Sequence, residues 1–168
     1  MENLAILAAI IIIIVIGFLL LFYLEAPPTR PITQCSFQKP GFVCIRTKLS
    51  ASTGKLHFKL GQGTRHNISI RGVSCTQNDS PDFAKEHIIL YGNGNNVTMY
   101  SGEVAVISYP NDTTKPWLSI SCTTADGNLP NERSIGTFYN GRIYMRYTEL
   151  DTNITRTISG TLSARYES

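Results

Sequence analysis

The sequence predicts an α+β protein: a long N-terminal hydrophobic α-helix followed by an all-β antiparallel head, sandwich-like or barrel-like. Three observations predict it. Leu4 to Leu24 is one uncharged apolar run, unbroken isoleucine from Ile10 to Ile14. Prolines follow it at once, at Pro27, Pro28 and Pro31. Beyond them, short alternating apolar segments recur between turns rich in Gly, Asn and Pro, the pattern of antiparallel strands with one face buried. The expected organisation is a transmembrane or filament-core helix over 1–26, a proline-rich neck over 27–34 and a β-rich extracellular head over 35–168.

As a helix the apolar run would extend roughly 30 Å, the thickness of a bilayer's hydrocarbon core. Its β-branched residues disfavour a helix in water, but in lipid a helix satisfies every backbone group. Ala5, Ala8, Ala9 and Gly17 are small and would let neighbouring helices approach. The three alanines share one face at helical spacing. Glu25-Ala26-Pro27-Pro28 ends the helix, because consecutive prolines cannot continue one. Thr29 to Gln34 then forms a stiff, extended neck.

The head is read as strands from Phe42. In Phe42 to Leu49, Val43, Ile45, Thr47 and Leu49 take one side, and Cys44, Arg46 and Lys48 the other. Lys55 to Leu60 alternates strictly, with Leu56, Phe58 and Leu60 inward, and Gly61-Gln62-Gly63 is read as a turn. Asn67 to Cys75 is a third strand. Ser80 to Glu86 has the Ser-Pro-Asp start of a short helical turn. Ile88–Tyr91, Val97–Tyr100 and Glu103–Tyr109 follow as short strands, then Trp117–Cys122. Phe138–Leu150 and Ile154–Tyr166 form a closing hairpin around Asp151-Thr152-Asn153. The expected core is Leu56, Phe58, Leu60, Ile68, Ile70, Val73, Val104, Val106, Trp117, Leu118, Ile120, Ile143, Met145, Ile158 and Leu162. Tyr100, Tyr109, Tyr139 and Tyr166 are candidates for contacts between heads.

Composition narrows the function. The net charge is only +3, and Lys and Arg look scattered, which argues against nucleic acid as a partner. Four cysteines, Cys35, Cys44, Cys75 and Cys122, lie beyond the helix and suggest two disulfides and an oxidising exterior. Four cysteines allow three connectivities, and sequence alone does not choose. Cys35–Cys44 with Cys75–Cys122 is favoured, because the first closes a short Pro-Gly loop and the second can join two core strands. Asn-x-Ser/Thr sequons begin at Asn67, Asn78, Asn96, Asn111 and Asn153, in or near expected turns and strand ends, where a glycan finds exposed backbone.

No catalytic or metal constellation is legible, and no cofactor is expected. His57, His66 and His87 have no ligand-spaced partner and read as surface strand residues. Cys-x-x-Cys and Gly-x-Ser-x-Gly are absent. Gly61-Gln62-Gly63 and Gly92-Asn93-Gly94 lack the strand–loop–helix context of phosphate loops. Asp79, Asp82 and Glu86 are local acids suited to capping a turn.

The flanks of the apolar run conflict with the cysteines and sequons. Glu2 precedes the run, whereas Arg30, Lys39, Arg46 and Lys48 follow it, which would hold the head in the cytoplasm. A basic leader removed ahead of Met1, with the apolar run retained, resolves the conflict. Such processing differs from ordinary secretion, in which cleavage follows the run. The chain thereby resembles an archaeal type IV pilin of the group with class III signal peptides, in its mature form. The likeness lies in the apolar start, the proline neck and the β-rich head. It extends to Cys35–Cys44 (CSFQKPGFVC), Ile68–Cys75 (ISIRGVSC), Gly141–Tyr147 (GRIYMRY) and Ile158–Ala164 (ISGTLSA). It is architectural and spans most of the chain. One departure stands out: bacterial type IV pilins carry an acid at the fifth mature position, where this chain has Ala5.

The resemblance implies a structural subunit of an extracellular type IV pilus-like filament. Copies of the chain would form a helical homopolymer with glycosylated heads outside, and adhesion as its role. The subunit would be membrane-inserted before assembly and served by an assembly ATPase, a platform protein and a leader peptidase. The alternative is a monomeric, single-pass membrane-anchored surface β-domain that binds an extracellular ligand.

Overall fold

A computed structural model describes residues 11–18, 33–79, 89–91, 94–110 and 113–168. The chain divides into two units, Met1–Pro31 and Ile32–Ser168.

The expected fold class requires correction. The protein is mostly β, 52% strand against 9% helix, and its sheet closes into a six-stranded barrel. In place of a long N-terminal helix, the described part of the first unit is one short helix over residues 11–18. Among the described residues no helix is long and apolar enough to cross a membrane. The physical reason is local. The segment reads Ile-Ile-Ile-Ile-Val-Ile-Gly-Phe, and β-branched residues lose side-chain freedom in a helix while glycine weakens it. A helix of this composition draws its stability from apolar surroundings, and here every large side chain from Ile11 to Ile16, and Phe18, is at least 51% exposed.

Among the described residues the head contains ten strands: β1 (Gln34–Phe37), β2 (Phe42–Ser50), β3 (Lys55–Gln62), β4 (Ile68–Thr76), β5 (Ile89–Leu90), β6 (Val97–Met99), β7 (Val104–Ser108), β8 (Ile120–Thr123), β9 (Phe138–Glu149) and β10 (Thr155–Glu167). The barrel runs β10-β2-β3-β8-β4-β9 and back to β10. Four joints are antiparallel. The other two are parallel: β10 meets β2 at Tyr166↔Leu49, and β8 meets β4 at Cys75↔Cys122. The remaining strands line the edges: β1 on β10, β7 on β3, and β5 and β6 on β4. Gly160 lets β1 approach β10, since a Cβ there would lie 2.8 Å from the Ser36 carbonyl oxygen.

Alternation places most of the core as expected. Leu56, Phe58, Leu60, Ile68, Ile70, Val73, Ile143 and Met145 have no exposed surface, and Leu118, Ile120, Ile158 and Leu162 are buried with them. Bulges account for most of the differences. β2 shifts register between Cys44 and Arg46, so Phe42 and Leu49 point inward while Val43 and Ile45 face out. β7 shifts opposite Phe58 and Lys59, which buries Ile107 and leaves Val104 half-exposed and Val106 partly exposed. Gly61 and Gln62 continue β3 rather than turn. Trp117 lies in a 3₁₀ turn (Pro116–Leu118), with its ring edge-on to Tyr91 at 5.1 Å. Tyr139 and Tyr166 fill the barrel, whereas Tyr100 and Tyr109 are exposed. The closing hairpin forms around Asn153, which takes φ 57. The helical turn expected over Ser80–Glu86 lies outside the described residues.

Candidate functional site

The cysteines pair as Cys35–Cys44 and Cys75–Cys122, and no cysteine is free. The first bridge spans the Pro40-Gly41 turn between β1 and β2. The second ties β4 to β8 at one of the two parallel joints. Two disulfides indicate an oxidising, extracellular or secreted setting.

Of the sequon asparagines, Asn67 is exposed before β4, Asn96 before β6, and Asn153 at the β9–β10 turn. Asn96 Nδ2 donates to Ser69 Oγ at 2.9 Å. Asn78 is half-buried just beyond β4, and its carbonyl accepts a hydrogen bond from the Tyr144 hydroxyl. Asn111 lies outside the described residues, as do Ala5, Ala8 and Ala9. Gly17 lies in the short helix, and a Cβ added there would meet nothing within 4 Å.

Two ionic clusters have structural roles. Glu149, almost fully buried, accepts from Arg156 Nε at 2.6 Å and from Thr152 Oγ1 at 2.9 Å, which holds its carboxyl below the usual range. Next to it, the His66 ring pairs with Asp151 at 2.7 Å, and that hydrogen bond lowers the Asp151 pKa. Both fasten the β9–β10 turn. Asp79 pairs with Arg142, while Asp82, Glu86 and His87 lie outside the described residues. Among the described residues no group of His, Cys, Asp and Glu is placed to hold a metal ion.

The unexplained surface is the outer face of β2, β3 and β7. At one end Val43 and Ile45 of β2 and Val104 of β7 are 60%, 54% and 50% exposed. Between them sits Gly61, whose missing side chain leaves a recess; a Cβ there would lie 3.2 Å from Ile45 Cδ1 and 3.8 Å from Val104 Cγ2. At the other end the register sets basic residue against basic residue. Arg46 faces Lys59 directly across the strands, and Lys48 faces His57. Like charges in that position destabilise a sheet. Burial, then Arg46, Lys59 and Lys48, push the His57 pKa below its ordinary 6.5. His57 stacks edge-on against exposed Tyr109, centroids 4.9 Å apart, and its Nε2 is buried with no hydrogen-bond partner. Of the four basic residues on this face, Lys48 is compensated by Glu167 at 2.6 Å, whereas Arg46, Lys55 and Lys59 make no ion pair among the described residues.

Sequence reading missed this site. The basic residues look scattered because they alternate with inward residues on two different strands. The bulge that turns Ile45 and Arg46 outward together leaves no mark in the spacing.

No protein-family model matches the chain, and neither does any curated protein or solved structure. The fold and site define its class: a doubly disulfide-linked β-barrel domain with one apolar and cationic outer face, carried behind an apolar N-terminal segment.

Proposed function

We propose that the chain is a structural subunit of an extracellular, type IV pilus-like filament. Its apolar N-terminal segments would cluster inside the fibre, and its barrel heads would form the surface. The observation that carries this reading is the segment itself. Residues 11–18 expose isoleucine, valine and phenylalanine on every side, and such a surface is stable only against lipid or other apolar segments. The resemblance to archaeal type IV pilins points to copies of the same segment. Lipid would serve before assembly, with an assembly ATPase, a platform protein and a leader peptidase as partners.

The head suits the role. A closed barrel with two disulfides resists unfolding outside the cell. The Val43–Ile45–Val104 recess supplies an apolar contact for a neighbouring head, and exposed Asn67, Asn96 and Asn153 supply glycan sites.

Electron microscopy of filaments sheared from the source cells, with mass spectrometry of their protein, tests the reading. Thin fibres built from this chain support it. Recovery of the chain only as a membrane-bound monomer overturns it. Ile45→Asp with Val104→Asp should leave the head folded and remove or shorten the fibres.

A further inference from the structure

We propose that the cationic end of the β2–β3–β7 face binds an acidic polysaccharide. The inference does not depend on filament assembly. Lys55, His57 and Lys59 stand on the same side of β3 at every second residue, about 7 Å apart along the strand. Arg46 and Lys48 run beside them on β2, in register. Arg46, Lys48, Lys55 and Lys59 thus form a strip of cations around His57, suited to a polymer that carries repeated anions. A cleft of about 280 Å³ opens on the strip, bordered by Lys48, Lys55 and His57 and by the hydroxyl residues Ser50, Ser52 and Thr53. Tyr109 stands against His57, 41% exposed, and offers an aromatic ring on which a sugar can stack.

Charge complementarity selects a polyanion, because Arg46 and Lys59 repel each other until an anion lies between them. Hydroxyls and one ring beside the cations suit a sugar chain. A bilayer suits the face less well, since the apolar end is a recess at Gly61 rather than a ridge that could enter lipid. Glu167 also borders the cleft and would reject acids placed too close to that side.

The test uses the full-length chain in zwitterionic detergent, with polygalacturonate as the probe and neutral dextran, a single-stranded DNA oligonucleotide and phosphatidylglycerol vesicles as comparators. Polygalacturonate is expected to bind, more weakly as salt rises, and dextran not to bind. Arg46→Gln with Lys59→Gln should weaken binding by at least about fivefold. That pair relieves a repulsion, so the fold is retained, and a thermal unfolding midpoint no lower than that of the wild type verifies it. Tyr109→Ala should also weaken binding, whereas Arg146→Gln on the opposite outer face should not. Equal binding by the wild type and the double variant overturns the proposal. So does absent polygalacturonate binding, or tighter binding to DNA or to the vesicles.

Discussion

The barrel has two broad outer faces, and they are built differently. On the β9–β10 face, the two arginines of β9 sit opposite hydroxyls: Arg146 faces Thr157 and Arg142 faces Thr161. Thr148 and Thr155 bond through their hydroxyls at 3.0 Å, and Arg142 has Asp79 as a partner. On the β2–β3–β7 face, Arg46 is set against Lys59, and Val43, Ile45 and Val104 are left in water. Both faces belong to one sheet with the same alternation. The first is a solvated exterior that stabilises its own strands. The second sets like charges side by side and leaves apolar side chains in water, two costs that a covering partner would relieve.

The largest expected effect contrasts the inside of β3 with its outside. Phe58→Ala should cost about 3–5 kcal/mol, because Phe58 is fully buried between outward His57 and Lys59. A loss below about 1 kcal/mol in urea unfolding would mean that the barrel interior does not hold these strands in place.

The disulfides come next. Replacing Cys75 and Cys122 by serine opens a loop with a sequence separation of 47 and should cost about 4 kcal/mol. Replacing Cys35 and Cys44 opens one of 9 and should cost about 2.5 kcal/mol. Thermal unfolding of the two double variants gives the order, and a reversed order would show that β1, not the β4–β8 joint, secures the barrel.

Exchanging charges between the faces is a smaller and sharper test. Thr157→Lys places a cation opposite Arg146 and should destabilise by about 0.2–1 kcal/mol. Lys59→Glu, opposite Arg46, should stabilise by a similar 0.2–1 kcal/mol, roughly. If both changes act in the same direction, the two faces do not differ in the way their registers indicate.

The smallest effect is a pH dependence. The folded His57 pKa lies below its ordinary 6.5, so the unfolded chain binds the proton more readily. Its contribution is fully present above about pH 6.5, declines as pH falls toward the folded value, and then levels off. Between pH 7.5 and 5, urea midpoints of the wild type should therefore drop further than those of His57→Gln. Glu149 and Asp151, whose pKa values lie below 4.5 and 3.8, act in a lower window; their contribution is present above those values and is lost as pH falls through the folded ones.

Much of the fold was legible in the residues. The alternation of Leu56, Phe58 and Leu60, and of Ile158 and Leu162, fixed inward faces because strand side chains repeat every two residues. Asp151-Thr152-Asn153 marked a tight turn because asparagine tolerates positive φ. The apolar run announced a long helix over 1–26 where the structure has a short one over residues 11–18, because its β-branched residues and Gly17 weaken a helix that lacks apolar surroundings. The outer face of β2, β3 and β7 was illegible: it required knowing that Arg46 meets Lys59 and that Gly61 lies between Ile45 and Val104.

By itself the sequence determined which side of most strands is buried, where several of the turns fall, and that two disulfides staple the head. These are local consequences of side-chain period, backbone preference and cysteine spacing. Only the tertiary structure decided that the sheet closes through two parallel joints, that bulges in β2 and β7 turn Val43, Ile45 and Val104 outward, and that four scattered cations share one face. Each depends on the register between strands distant in sequence, which long-range packing sets and no stretch of residues encodes alone.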